Sequence, residues 1–173
     1  MVAEISDIII RESTIEDAAG IAKVHVESWQ TSYKGILDQE MLDDISYKER
    51  LDLRKKIMAQ KRGLSLVAEN QDSGEIVGFC DIGKNRGDEP FHFELYAIYL
   101  LESVKGLGRG RRLFETARKW CDGQPDQSLI VWVLSDNLPA CRFYESMGGK
   151  VHSEKQIEIA GLKYKEKSYT WAE

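Results

Sequence analysis

The sequence predicts one α/β domain built on a mixed sheet. Three observations carry that expectation. The chain has 173 residues, enough for one substantial core and too few for two ordinary domains. Helix-period patterning fills roughly its first third, and strand-like runs separated by turns or helices fill the rest. Finally, Leu129-Ile130-Val131-Trp132-Val133-Leu134 is a continuous apolar run, as expected for a central strand covered on both faces. The resulting order is β-α-α-α-β-β-β-α-β-α-β-β across residues 1–173, with no internal repeat, low-complexity tract or linker.

Each element has its own signal. Residues 8–11 read as a first strand. Thr14 and Asp17 then form a capping-box-like start, and Ile15, Ala18, Ile21, Ala22 and Val26 recur at helical spacing up to about Trp29. Residues 33–37 are a loop. Asp38 caps a short helix to Ile45, and Ser46-x-x-Glu49 opens a heavily charged helix to Gln60. Strands at 64–68 and 75–82 flank a turn at 70–74 and form a hairpin. A polar loop at 84–90 leads into a strand at 91–100. After a glycine-rich loop, Leu113, Phe114, Ala117, Trp120 and Cys121 mark the buried face of a helix ended by residues 123–126. Asn137-Leu138-Pro139 opens the next helix and Gly148-Gly149 closes it. Strands at 151–159 and 163–171 form a C-terminal hairpin.

Composition narrows the function classes. The net charge of −5 argues against generic nucleic-acid binding. The Ile8-Ile9-Ile10 cluster is short and follows Glu4 and Asp7, so it reads as neither a signal peptide nor a membrane span. The three cysteines, Cys80, Cys121 and Cys141, lack metal-ligand spacing and read as buried thiols of a cytoplasmic protein. No metal site is expected. Within the acidic whole, Lys105, Arg109, Arg111, Arg112, Arg118 and Lys119 cluster in one loop and helix, which suggests a local anionic ligand. Arg118 and Lys119 read as a solvated helix face.

The most informative segment is 95–114. It reads as strand, loop rich in glycine and cation, then helix, an arrangement that offers main-chain N–H groups and a helix N-terminus to an anion. The glycine spacing fits neither a dinucleotide fingerprint nor a Walker A loop. What stands is Lys105-x-x-Gly108-x-Gly110, and downstream Asn137-x-x-Ala140-x-x-Phe143-Tyr144-Glu145-x-x-Gly148. The first resembles the pyrophosphate loop of the GNAT superfamily of acyl-CoA N-acyltransferases, with lysine in place of the commoner glutamine or arginine. The second resembles that family's other signature, with Gly149 where an aromatic residue is usual, a departure expected to loosen packing at the helix exit.

The resemblance implies a mostly antiparallel GNAT-like sheet with splayed central strands, flanking helices and acetyl-CoA as acyl donor. It implies that main-chain groups of Ile98, Tyr99 and Leu100 meet the pantetheine and acetyl carbonyl. It implies that Lys105, Gly106, Leu107, Gly108, Arg109 and Gly110 hold the pyrophosphate through main-chain N–H groups, that Asn137 meets the cofactor arm, and that Tyr144 lies near its sulfur. Asn137 is equally a helix N-cap and Tyr144 equally a core aromatic. The partner would be a small-molecule or peptide amine, bound by the first helices and the last hairpin. Glu27, Trp29 and Tyr33 are the candidate side chains there, and Trp29 and Tyr33 lie one helical turn apart. An edge of the C-terminal hairpin can pair with a second copy to make a homodimer.

The implied reaction poses two proton problems. Freeing the lone pair of an alkylamine at pH 7 costs about 4.6 kcal/mol, and the departing thiolate needs a proton. Tyr144 is the candidate acid. Glu94, before the cofactor strand, is the candidate base, with His92 as runner-up. His25 reads as structural, and His152 has no evident partner. The rival reading is a non-catalytic acyl-CoA sensor, which would keep the glycine loop and lose the proton-transfer residues.

Overall fold

A computed structural model describes residues 7–172. Glu4 and the ends of the predicted domain, residues 1–6 and 173, lie outside the described residues. The described strands are β1 (Ile8–Glu12), β2 (Gly63–Asn70), β3 (Ile76–Lys84), β4 (Phe93–Leu100), β5 (Leu129–Leu134), β6 (Lys150–Ile159) and β7 (Leu162–Trp171). They form one sheet in the order β1-β2-β3-β4-β5-β7-β6. The helices are α1 (Ala18–Ser32), α2 (Gln39–Asp43), α3 (Tyr47–Gln60), α4 (Arg109–Lys119) and α5 (Leu138–Ser146). The mixed, mostly antiparallel sheet expected from the sequence is present.

One pairing organises the molecule. β4 and β5 are parallel, and they pair only at Phe93↔Leu129 and Glu94↔Ile130. Yet β4 runs on to Leu100 and β5 to Leu134. The two strands therefore diverge, and the sheet opens into a wedge with Glu94 and Ile130 at its apex. On the other edge of β4 the register to β3 shifts, since Asp81 pairs with Ala97 but Ile82 pairs with Leu95. Tyr96 is the extra residue of this bulge, which resets the alternation of β4. Phe93, Leu95, Ile98 and Leu100 thus all join the core shared with Leu113 and Phe114 of α4. Ala97 and Tyr99 pack instead with Ile21 and Val24 of α1 and Phe79 of β3.

The helix caps follow their sequence signals. The Asp17 carboxylate accepts from the Thr14 N–H at 2.7 Å and also takes both guanidinium nitrogens of Arg11. Asp38 accepts from the Met41 N–H, and Ser46 from that of Glu49. The polar helix α3 docks through a residue its pattern hides. Arg54 is 4% exposed and makes a two-pronged ion pair with Asp81 of β3, at 3.1 and 2.8 Å, while its guanidinium lies over the Phe79 ring.

Several expectations need correction. α1 runs to Ser32, past Trp29, and α2 ends at Asp43, before Ile45. Val24 and Ser28, not Val26, complete the buried face of α1. Trp120 caps the end of α4 and is 41% exposed, its ring edge on Phe93, whereas Cys121 is fully buried. Arg118 is half-buried and donates to the Gln127 carbonyl, so it anchors the α4–β5 connection and is not a merely solvated side chain. Gly149 tightens the exit of α5. A Cβ there would lie 2.7 Å from the Trp171 ring and 2.9 Å from the Tyr144 carbonyl, so Trp171 from β7 fills the space that an aromatic residue would occupy. His152 does have partners, the Glu89 carboxylate at 3.1 Å and the Phe91 ring. β6 is an outer strand of the sheet, where the edge available to a second copy lies.

Candidate active site

The mouth of the wedge is set by the loop after β4. Gly106, Leu107 and Gly108 take φ of 94°, 53° and 72° in succession. A run of left-handed residues turns successive N–H groups toward one concavity, a nest suited to an anion. The N–H groups of these three residues have no acceptor among the described residues. A Cβ at Gly108 would meet nothing within 4 Å, so backbone conformation and not crowding demands glycine there, and the concave side stays open. Gly110 matters for packing instead. A Cβ there would sit 3.1 Å from the Phe143 ring, so the glycine lets α4 close onto α5.

The side chains of the basic cluster mostly brace the loop. Lys105 pairs with Glu102 at 2.9 Å. Arg109 is buried and donates to the Val104 carbonyl. Arg111 pairs with Glu115 and reaches the Ser146 carbonyl. Arg112 pairs with Asp7 and donates to the Ile8 carbonyl, which pins α4 to β1. The cations add positive potential, while the groups left to meet a ligand are main-chain N–H groups.

Asn137 and Tyr144 lie on the same side of the sheet. Asn137 is buried and caps α5, its Oδ1 accepting from the Ala140 N–H at 3.3 Å. Tyr144 is buried against Phe143, Tyr169 and Trp171. Its hydroxyl makes no hydrogen bond among the described residues, although a core tyrosine normally finds a partner. Burial pushes its ionisation well above that of an ordinary tyrosine, and the charges of Tyr99, Cys80 and Cys141 add to the effect.

The opposite face carries aromatic and charged side chains. Trp29 Nε1 donates to the Tyr99 hydroxyl at 3.2 Å, and the Tyr33 and Tyr99 hydroxyls are 3.1 Å apart. Trp29 and Tyr33 pack edge to face at 5.1 Å, with the Arg50 guanidinium over Trp29. The two rings expected to share a face do so. His25 stacks on Tyr99, and burial together with Arg50 and Arg54 lowers its pKa to about 4, so it is neutral at pH 7. Glu27 is exposed and lines a shallow depression of about 290 Å³ with Gln30, Thr31, Leu101, Glu102 and Ser103.

The structure separates the two candidate bases. Glu94 is buried at the wedge apex, where its carboxylate accepts from the Arg86 N–H at 3.0 Å and from two guanidinium nitrogens at 3.2 and 2.8 Å. His92 is exposed beyond the closed end of the wedge, its ring against Phe93. A third carboxylate, missed in the sequence, lies on the face of the sheet that carries Trp29 and Tyr33. Glu166 of β7 pairs across the strands with Leu134 of β5, and Leu134 packs with Trp29, Tyr33, Leu37 and Leu42. The period-two spacing of Tyr164, Glu166 and Ser168 marks a common face, but nothing in the sequence says what that face meets.

Comparisons with known proteins agree on one family. Residues 23–149 match the model of the acetyltransferase (GNAT) family. The uncharacterized N-acetyltransferase YuaI of Bacillus subtilis (strain 168) is 37% identical over 166 residues, covering 95% of this chain and 92% of that protein. Among solved structures, a GCN5-related N-acetyltransferase from Rhodopseudomonas palustris superposes with a TM-score of 0.72 at 23% identity, over 99% of this chain and 98% of that one. The PaiA N-acetyltransferase of Thermoplasma acidophilum, solved in complex with coenzyme A, gives 0.69 at 22% identity, over 92% and 97%. At these identities the two structures speak to the fold.

Proposed function

The chain belongs to the acetyltransferase (GNAT) family, and on that premise we propose that it moves an acetyl group from acetyl-CoA to a primary amine of a small molecule or peptide, with both held in the wedge at once. One observation carries the reading: the strands part at Glu94 and Ile130, and the parting has beside it a loop whose N–H groups at residues 106–108 and a buried tyrosine whose hydroxyl find no hydrogen-bond partner among the described residues. A thioester cofactor with a diphosphate offers groups for both ends. The coenzyme A bound to the Thermoplasma structure supports the same donor.

The residues present fit that donor. The N–H groups of residues 105–110 would hold the diphosphate, and the Asn137 amide would bond the pantetheine arm. Main-chain groups of Ile98, Tyr99 and Leu100, which lost their β5 neighbours when the strands parted, would orient the arm and the acetyl carbonyl. An N–H there stabilises negative charge as it develops on the carbonyl oxygen. Burial keeps the Tyr144 hydroxyl protonated and makes it a weaker acid, so its proton would pass to the departing sulfur only as thiolate charge develops there. Trp29, Tyr33 and Glu27 line the acceptor side. Arg86 engages both carboxylate oxygens of Glu94, which counts against the direct proton removal expected of Glu94 from the sequence. That ion pair favours a second role for Glu94, fixing the wedge apex to the β3–β4 loop.

Thiol release from acetyl-CoA with a panel of primary amines separates an enzyme from a sensor. Tyr144→Phe keeps the ring and removes the hydroxyl. Its kcat should fall on the order of 10²-fold with coenzyme A affinity unchanged. Equal turnover in the variant would return Tyr144 to the role of a core aromatic.

A further inference from the structure

Two strand carboxylates, Glu94 of β4 and Glu166 of β7, lie on the acceptor face of the sheet, and they are not equivalent. Glu94 is saturated by Arg86. Glu166 has a side chain only 14% exposed, yet its one ionic contact among the described residues is Lys155 Nζ at 3.4 Å, from a lysine that is itself half exposed. The strand register fixes where Glu166 points. Leu134 and Lys155 are its cross-strand partners, and directly paired residues share a face. Leu134 packs under Trp29 and Tyr33, so Glu166 lies on the α1–α2 side, at the open end of β5 and not at its apex. Tyr33, whose hydroxyl meets that of Tyr99 on β4, feels the charge of Glu166. The groove is thereby bounded by Tyr99 on one strand, Glu166 beyond the other, and Trp29 and Tyr33 above.

Resting on the acetyltransfer reading, we propose that Glu166 is the group that receives the acceptor's ammonium and takes its first proton. The ammonium gives that proton to the Glu166 carboxylate and regains a lone pair. The nitrogen forms a bond to the acetyl carbon, the C–S bond breaks, and its electron pair leaves on sulfur. A second nitrogen proton reaches the sulfur by way of Tyr144, and Glu166 returns its proton to solvent, so one proton is released per amide formed. Burial raises the proton affinity of Glu166 above that of an ordinary carboxyl, opposed by Lys155 from β6 and assisted by Glu94 from β4, and this narrows the uphill gap to the amine.

The test uses the amine that gives the fastest thiol release in a panel of alkylamines, diamines, amino acids and short peptides. Glu166→Gln should lower kcat at neutral pH on the order of 10²-fold and abolish the acidic limb of the kcat profile. Glu166→Asp should restore part of the rate. Glu94→Gln should keep the limb. The variants' melting temperatures should rise with coenzyme A as in the wild type, which shows that the donor site is intact. A limb that survives in Glu166→Gln, or one lost in Glu94→Gln instead, overturns the assignment. A wild type that coenzyme A does not shift, or that releases no thiol with any amine, overturns the acetyltransfer reading on which it rests.

Discussion

The two sides of the wedge are built from different materials. On the α4–α5 side, the groups proposed to meet the donor are main-chain N–H groups of the glycine loop, the Asn137 amide and the Tyr144 hydroxyl, and the charged side chains nearby mostly brace the loop. On the α1–α3 side, the proposed acceptor groove is made of side chains: Trp29, Tyr33, Tyr99 and Glu166, with the buried Arg54–Asp81 pair and a neutral His25 nearby. A site made of backbone recognises one fixed chemical group and survives wide changes in side chains. One made of side chains can choose among acceptors, at the cost of burying polar groups that must all be satisfied.

The largest effect that sharpens this contrast is expected at Arg54. Truncation to alanine leaves the Asp81 carboxylate buried without its partner and should cost about 3–5 kcal/mol in urea unfolding. The loss should fall on the acceptor side, so coenzyme A should still stabilise the variant wherever it remains folded. A cost below about 1 kcal/mol would mean that α3 does not depend on the pair.

His25 provides a smaller and pH-dependent test. Its pKa is about 4 in the folded chain and 6.5 in the unfolded one, so between those values the unfolded state binds more protons. Stability should be complete above pH 6.5 and fall as the pH drops toward 4. From pH 7 to pH 5 the loss is about 2 kcal/mol, and His25→Phe should remove this part of the slope. An unchanged slope in the variant would assign the pH dependence to other groups.

Legibility in the sequence follows the same division. The glycine loop was readable because positive φ and close backbone approach leave few residue choices, and Asn137 because a helix cap has a local signature. The seven strands were found with their ends displaced by up to two residues, since period-two patterning marks a strand's middle better than its last pair. Arg54 was invisible because its reason for burial, Asp81, lies on a strand 27 residues away. Glu166 was missed for the same reason. Its meaning comes from pairing with β5, a long-range register no local pattern encodes. Glu94 was singled out by position, but Arg86, the residue that occupies it, comes from the preceding loop. Trp171 fills the space at Gly149 only because β7 returns beside α5.

The central claim is that the main chain of the glycine loop holds an acyl-CoA. Thermal unfolding with coenzyme A tests it most directly, in the wild type, Gly108→Ala and Gly108→Glu. Both substitutions add a Cβ at φ 72° and carry the same backbone strain, but only glutamate brings bulk and negative charge to the nest. Ligand at about a hundred times its dissociation constant stabilises the wild type by about 2.7 kcal/mol, so its Tm should rise by roughly 5–10 °C. Gly108→Ala should keep most of that rise above its own starting Tm, and Gly108→Glu should show none. Equal shifts in wild type and Gly108→Glu, or no shift in the wild type at millimolar coenzyme A, would contradict the account.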